Sequence, residues 1–107
     1  MLIDKYQKAA TRFARYPFIG NNPIYTILGL CGEAGELANK LKKILRGDNT
    51  LEDTKKGLAD ELGDILWYLA ATATELKLSL DDIALDNLAK LEKRLKNKTI
   101  KGKGDDR

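Results

Sequence analysis

Apolar residues recur at α-helical spacing along most of the chain, and no segment shows the strict alternation of a strand. Between positions 23 and 46, Ile27, Leu30, Ala34, Leu37, Ala38, Leu41, Ile44 and Leu45 fall on one broad stripe. Further on, Leu58, Leu62, Ile65, Leu66, Leu69 and Ala73 form a second stripe, while Trp67, Tyr68 and Ala71 cover much of the opposite side. A helix apolar on two faces is expected to be buried nearly all round. The fold class that follows is all-α, a bundle of four to five helices.

Local signals mark where the helices begin and end. A first helix is predicted through "DKYQKAATRFAR", stopping before a loop punctuated by Pro17, Gly20 and Pro23. Asn22 is the expected N-cap of the second, with Pro23 at its first position and Gly47 supplying the stop after Leu45 or Arg46. The third is capped by Thr50, with Asp53 in capping-box spacing, and runs to about Leu76 with a hitch expected near Gly57. Ser79 and Asp82 open the fourth, whose leucine-rich face extends from Ile83 to Leu95. Residues 1–97 are read as one domain and 98–107 as a basic, frayed tail.

At 107 residues and 43% hydrophobic composition the chain is too apolar to be disordered, yet small enough that pairing with a copy of itself would help to bury surface. The charged start "MLIDKYQKAATR" is not a signal peptide, and no apolar run approaches the roughly 18 residues of a membrane span. A cytoplasmic protein is expected. Lone Cys31 forms no internal disulfide and is expected to pack on an apolar helix side. The net charge of +3 gathers in "KRLKNKTIKGKGDDR", which reads as a solvated tail rather than a nucleic-acid footprint.

Two helices each carry an acidic pair at i, i+3: Glu33 and Glu36 in "GEAGE", Glu61 and Asp64 in "ELGD". Antiparallel packing across the short "GDNT" connection brings the pairs face to face. Four converging carboxylates repel one another and resist desolvation, a conflict that a bound divalent cation resolves. The competing reading is a solvated helix face paired with lysines such as Lys40 and Lys43. With no histidine in the chain a Glu-x-x-His di-iron site is impossible, and one cysteine excludes a zinc–thiolate site. Oxygen ligands alone point to Mg²⁺ or Mn²⁺, which are commonly completed by substrate phosphates. Cations for such phosphates stand on the fourth helix, where Asn87, Lys90 and Arg94 share a face; solvated charges flanking a leucine stripe are the alternative.

The order E-x-x-E, E-x-x-D and N-x-x-K-x-x-x-R, in "GLCGEAGELANKLKK", "LADELGDILWYL" and "DNLAKLEKRL", resembles the MazG-type all-α nucleoside triphosphate pyrophosphatases, from Tyr6 and Gln7 to about Arg94. The resemblance implies Mg²⁺-dependent hydrolysis of a nucleoside triphosphate to monophosphate and pyrophosphate, in a bundle assembled as a homodimer or homotetramer. It assigns metal binding to Glu33, Glu36, Glu61 and Asp64, and phosphate contacts to Asn87, Lys90 and Arg94. Lys40 and Lys43 join the phosphate set by helical face. Glu33 or Glu36 is the expected acceptor of the attacking water's proton. Two alternatives stand beside this reading: a related enzyme acting on another nucleotide such as a phosphoribosyl nucleotide, and a non-enzymatic partner-binding bundle.

Gly29, Gly32 and Gly35 fall inside the second helix, where each costs roughly 1 kcal/mol relative to alanine. Their expected use is to let another helix or the triphosphate approach the backbone, a device that Gly63 repeats between Glu61 and Asp64.

Overall fold

The computed structural model describes residues 2–97; the predicted tail at 98–107 lies outside the described residues. Four helices follow one another: α1 Leu2–Thr11, α2 Pro23–Leu45, α3 Leu51–Glu75 and α4 Leu80–Lys96, with no strand among the described residues. None of them is long and apolar enough to cross a membrane.

Three of the helices start where side-chain oxygens can serve unpaired backbone donors. Asn22 accepts from the Tyr25 amide, Thr50 from the Asp53 amide and Ser79 from the Asp82 amide, at 3.1, 3.1 and 3.2 Å. The α2 stop is a Schellman motif. Gly47, at φ +90°, donates to Ile44 O while Asp48 reaches back to Lys43 O. α3 ends the same way with Lys77 at φ +61°, a left-handed position filled by a residue with a Cβ.

α2 and α3 form the most extensively packed helix pair of the protein. α1 crosses α3 and touches α4, whereas α4 does not pack on α2. The small core sits at that crossing, where Ala10, Ala70, Ala73 and Leu80 are buried and Ile3, Tyr6 and Trp67 pack against them. Alanines on both helices permit the close crossing.

Four expectations need correction. α1 ends at Thr11 rather than Arg15, because Arg12, Phe13 and Ala14 tighten into i→i−3 bonds and the Trp67 indole donates to the Ala10 carbonyl. No hitch occurs at Gly57; α3 is unbroken, and the space at that glycine admits the Lys40 side chain. α3 is also not buried all round. Its Leu62, Leu66 and Leu69 are exposed, Leu62 at 56%, because α2 covers only the neighbouring face. Cys31 likewise is exposed.

Candidate metal centre

The two acidic pairs belong to facing helices, and register brings one member of the first pair onto both members of the second. Glu33, Glu61 and Asp64 each offer a carboxylate oxygen, all within 4.8 Å of one another. Glu36 is exposed and lies outside this trio, though its charge is still felt at Glu33. The bundle therefore gathers three of the four predicted carboxylates into one cluster, with the fourth one turn along α2.

Glu61 shows what the cluster lacks. Its Oε1 pairs with Lys40 Nζ at 3.1 Å, and Lys40 also reaches the Gly57 carbonyl at 3.4 Å. Its Oε2 is buried and meets no donor so long as both neighbouring carboxylates are ionised. Glu33 can supply one only by retaining its own proton. Its pKa is accordingly raised, first by the hydrogen bond to Glu61, then by burial and by the charges of Asp64, Glu61 and Glu36. Glu61 moves the opposite way, held low by Glu33 as donor and by Lys40. The two carboxylates thus pull each other's pKa apart, in the place where a cation would satisfy both groups. Three carboxylate ligands, one of them with an orphaned buried oxygen, fit a hard divalent ion.

Aromatic side chains border the cluster on the α2 N-terminal side. The Tyr68 ring lies against Gly29, where an added Cβ would stand 2.1 Å from Cε1. The Tyr68 pKa is raised by burial and by the nearby Tyr25, Glu33 and Asp64, and Asp64 also raises that of Tyr6, which burial already lifts. Of the other glycines flanking the acids, Gly32, Gly35 and Gly63 have nothing within 4 Å of an added Cβ. One glycine thus admits an aromatic ring, while three leave open space beside the carboxylates.

The predicted phosphate ligands are dispersed. Lys40 joins the cluster, and with Lys43, Asn49, Asp53, Thr54 and Gly57 it lines a depression at the foot of the hairpin. Asn87 and Lys90 line another with Ile83 and Asp86 on α4, sharing no wall with the cluster, and Arg94 is buried. Sequence reasoning missed Glu75, a buried acid that binds the α1–α2 loop; its signal was its position as the one acid between Asp64 and Asp81.

Comparison with known proteins adds independent findings. A family model described as "MazG nucleotide pyrophosphohydrolase domain" matches residues 22–99, which span both acidic pairs. The chain is also similar to the Gene 37 protein of Mycobacterium phage L5, 41% identical over 114 aligned positions that cover all of both chains. No solved structure matches the chain.

Proposed function

This chain belongs to the MazG nucleotide pyrophosphohydrolase family, and on that premise we propose that it hydrolyses a nucleoside triphosphate to the monophosphate and pyrophosphate, with Mg²⁺ held by Glu33, Glu61 and Asp64. The carrying observation is the carboxylate trio with its orphaned Glu61 oxygen. Lys40 neutralises only one of the three acids, so an ion pair alone is a poor explanation of the cluster.

A cation bound there offsets phosphate charge and lowers the pKa of a water it holds. The protein side chains do the rest. Glu36, exposed one turn from Glu33, and Glu33 itself are the groups placed to accept the proton of the attacking water. Lys40 and Lys43 receive phosphate oxygens at the foot of the hairpin, and open space at Gly32, Gly35 and Gly63 leaves room for them to approach.

The active form in this reading is at least a dimer. Ala34, Leu37, Ala38 and Leu41 of α2 form an apolar groove with Leu58 of α3, continued by the exposed Leu62, Leu66 and Leu69. A second copy covers this face. Since α4 does not pack on α2 within one chain, Asn87 and Lys90 serve the phosphates from the second copy.

The test is pyrophosphate release from each common ribo- and deoxyribonucleoside triphosphate, with Mg²⁺ and with chelator. Metal-dependent release from at least one of them is expected. Absence of release from the whole panel, or release that chelator leaves intact, contradicts the proposal.

A further inference from the structure

Glu75 has no place in the carboxylate cluster, from which it stands about 16 Å along α3 at 1.5 Å per residue. It is nevertheless among the most sequestered charged side chains described, 6% exposed. Its Oε2 accepts from the Gly20 amide at 2.7 Å and its Oε1 from the Asn22 amide at 2.6 Å. Tyr16 stands close to the same carboxylate: burial first, and then Glu75, raise its pKa.

The loop held in this way includes left-handed backbone at two positions. Phe18 has φ +57° and Gly20 φ +96°, the former in the left-handed region that a Cβ disfavours. Two more bonds complete the clamp: Lys77 Nζ to Gly20 O at 3.2 Å, and Asn22 Nδ2 to Pro17 O at 2.8 Å. Beneath the loop lies a cavity of about 80 Å³ walled by Ala10, Ala14, Trp67 and Ala71.

From the loop a line of rings leads to the acids. Tyr16 stacks on Tyr25 with centroids 4.8 Å apart and planes 12° from parallel. Tyr68, whose ring rests on Gly29, lies near enough to Tyr25, Glu33 and Asp64 that, after burial, all three raise its pKa.

We propose that Glu75 is a positioning residue for the carboxylate site: by clamping the loop from Tyr16 to Asn22 it fixes Tyr16, Tyr25 and Tyr68, and so the aromatic wall at one end of the cluster. Its kinetic consequence rests on the pyrophosphohydrolase reading; its structural consequence does not.

The test is Glu75→Gln, which leaves one acceptor oxygen for two amide donors and turns an NH₂ group toward the other. Three readouts are taken on the whole protein. Amide resonances of Gly29 and Gly32 shift together with those of Gly20 and Asn22. Mn²⁺ affinity stays within about twofold of the parent, because the metal ligands are untouched. The KM for the triphosphate rises about tenfold while kcat changes less than about twofold. Shifts confined to Gly20 and Asn22, or an unchanged KM in a variant whose loop has moved, overturn the proposal. If Glu75→Gln does not fold, Tyr16→Phe, which removes the hydroxyl but keeps the ring, is read by the same criteria with smaller effects in the same direction. If the parent hydrolyses no triphosphate, the pyrophosphohydrolase reading has failed, and the Gly29 and Gly32 shifts alone decide the role of Glu75.

Discussion

Replacing Gly29 by alanine sets a helix-propensity gain against a collision, and the structure gives the size of both. The new methyl carbon would lie 2.1 Å from Tyr68 Cε1, 2.5 Å from Cζ and 2.6 Å from Cδ1. An ordinary carbon–carbon contact is about 3.5 Å, so the ring must retreat by roughly 1.4 Å. Overpacking of this kind costs about 1–3 kcal/mol, against about 1 kcal/mol gained by removing a glycine from a helix interior. The net expectation is a loss of about 1 kcal/mol. Gly32 is the internal control: it has the same backbone gain and nothing within 4 Å to meet the methyl group. Gly32→Ala should therefore be about 2 kcal/mol more stable than Gly29→Ala. Urea unfolding of both variants at one protein concentration in EDTA measures the difference through the midpoint. A Gly29→Ala protein as stable as Gly32→Ala would refute the assignment of Gly29 as the seat of Tyr68.

Other expectations follow from the charges and the apolar face. Because the Glu33 pKa is raised in the folded protein, its contribution to metal-free stability is greatest at pH below the ordinary glutamate value and is lost as pH rises through the raised one. Glu61, held low, acts in the opposite sense and loses its contribution only on stronger acidification. Within that window a cation must compete with the Glu33 proton, so Mn²⁺ affinity should climb with pH across it and binding there should release a proton; calorimetry in buffers of different ionisation enthalpy detects it, and Glu33→Gln should abolish it. Leu62→Glu or Leu66→Glu should yield a monomer by light scattering at micromolar concentration while the parent stays a dimer or larger, because a carboxylate buried unpaired in an apolar interface costs several kcal/mol.

How far the sequence could be read depended on the distance over which each feature is decided. The caps at Asn22, Thr50 and Ser79 and the stop at Gly47 involve partners within five residues, so local chemistry was enough to locate them. The end of α1 was not legible because the indole that takes the Ala10 carbonyl belongs to Trp67, on another helix. The acidic pairs stood out by their i, i+3 spacing. Which members meet is instead set by the register of the α2–α3 hairpin, and that register turned Glu36 outward while seating Glu33 beside Glu61 and Asp64. Glu75 escaped notice for the same reason, since it serves backbone amides at positions 20 and 22, which carry no side-chain signature. The leucines of α3 were plainly apolar; periodicity could not say that one chain leaves them uncovered.

The account rests on the Glu33, Glu61 and Asp64 carboxylates forming a cation site and not a structural salt-bridge cluster. Asp64→Asn tests this most directly, because Asp64 is exposed and its charge raises the Glu33 pKa. Thermal melts of parent and variant are measured in EDTA and in millimolar Mg²⁺. The cation site predicts that Asp64→Asn melts higher than the parent in EDTA, repulsion having been relieved. It also predicts that Mg²⁺ raises the parent's melting temperature with the RT ln(1+[L]/Kd) dependence of native-state binding, and the variant's far less. A variant that melts lower than the parent in EDTA, with Mg²⁺ shifting neither protein, would show that the carboxylates are structural and contradict the account.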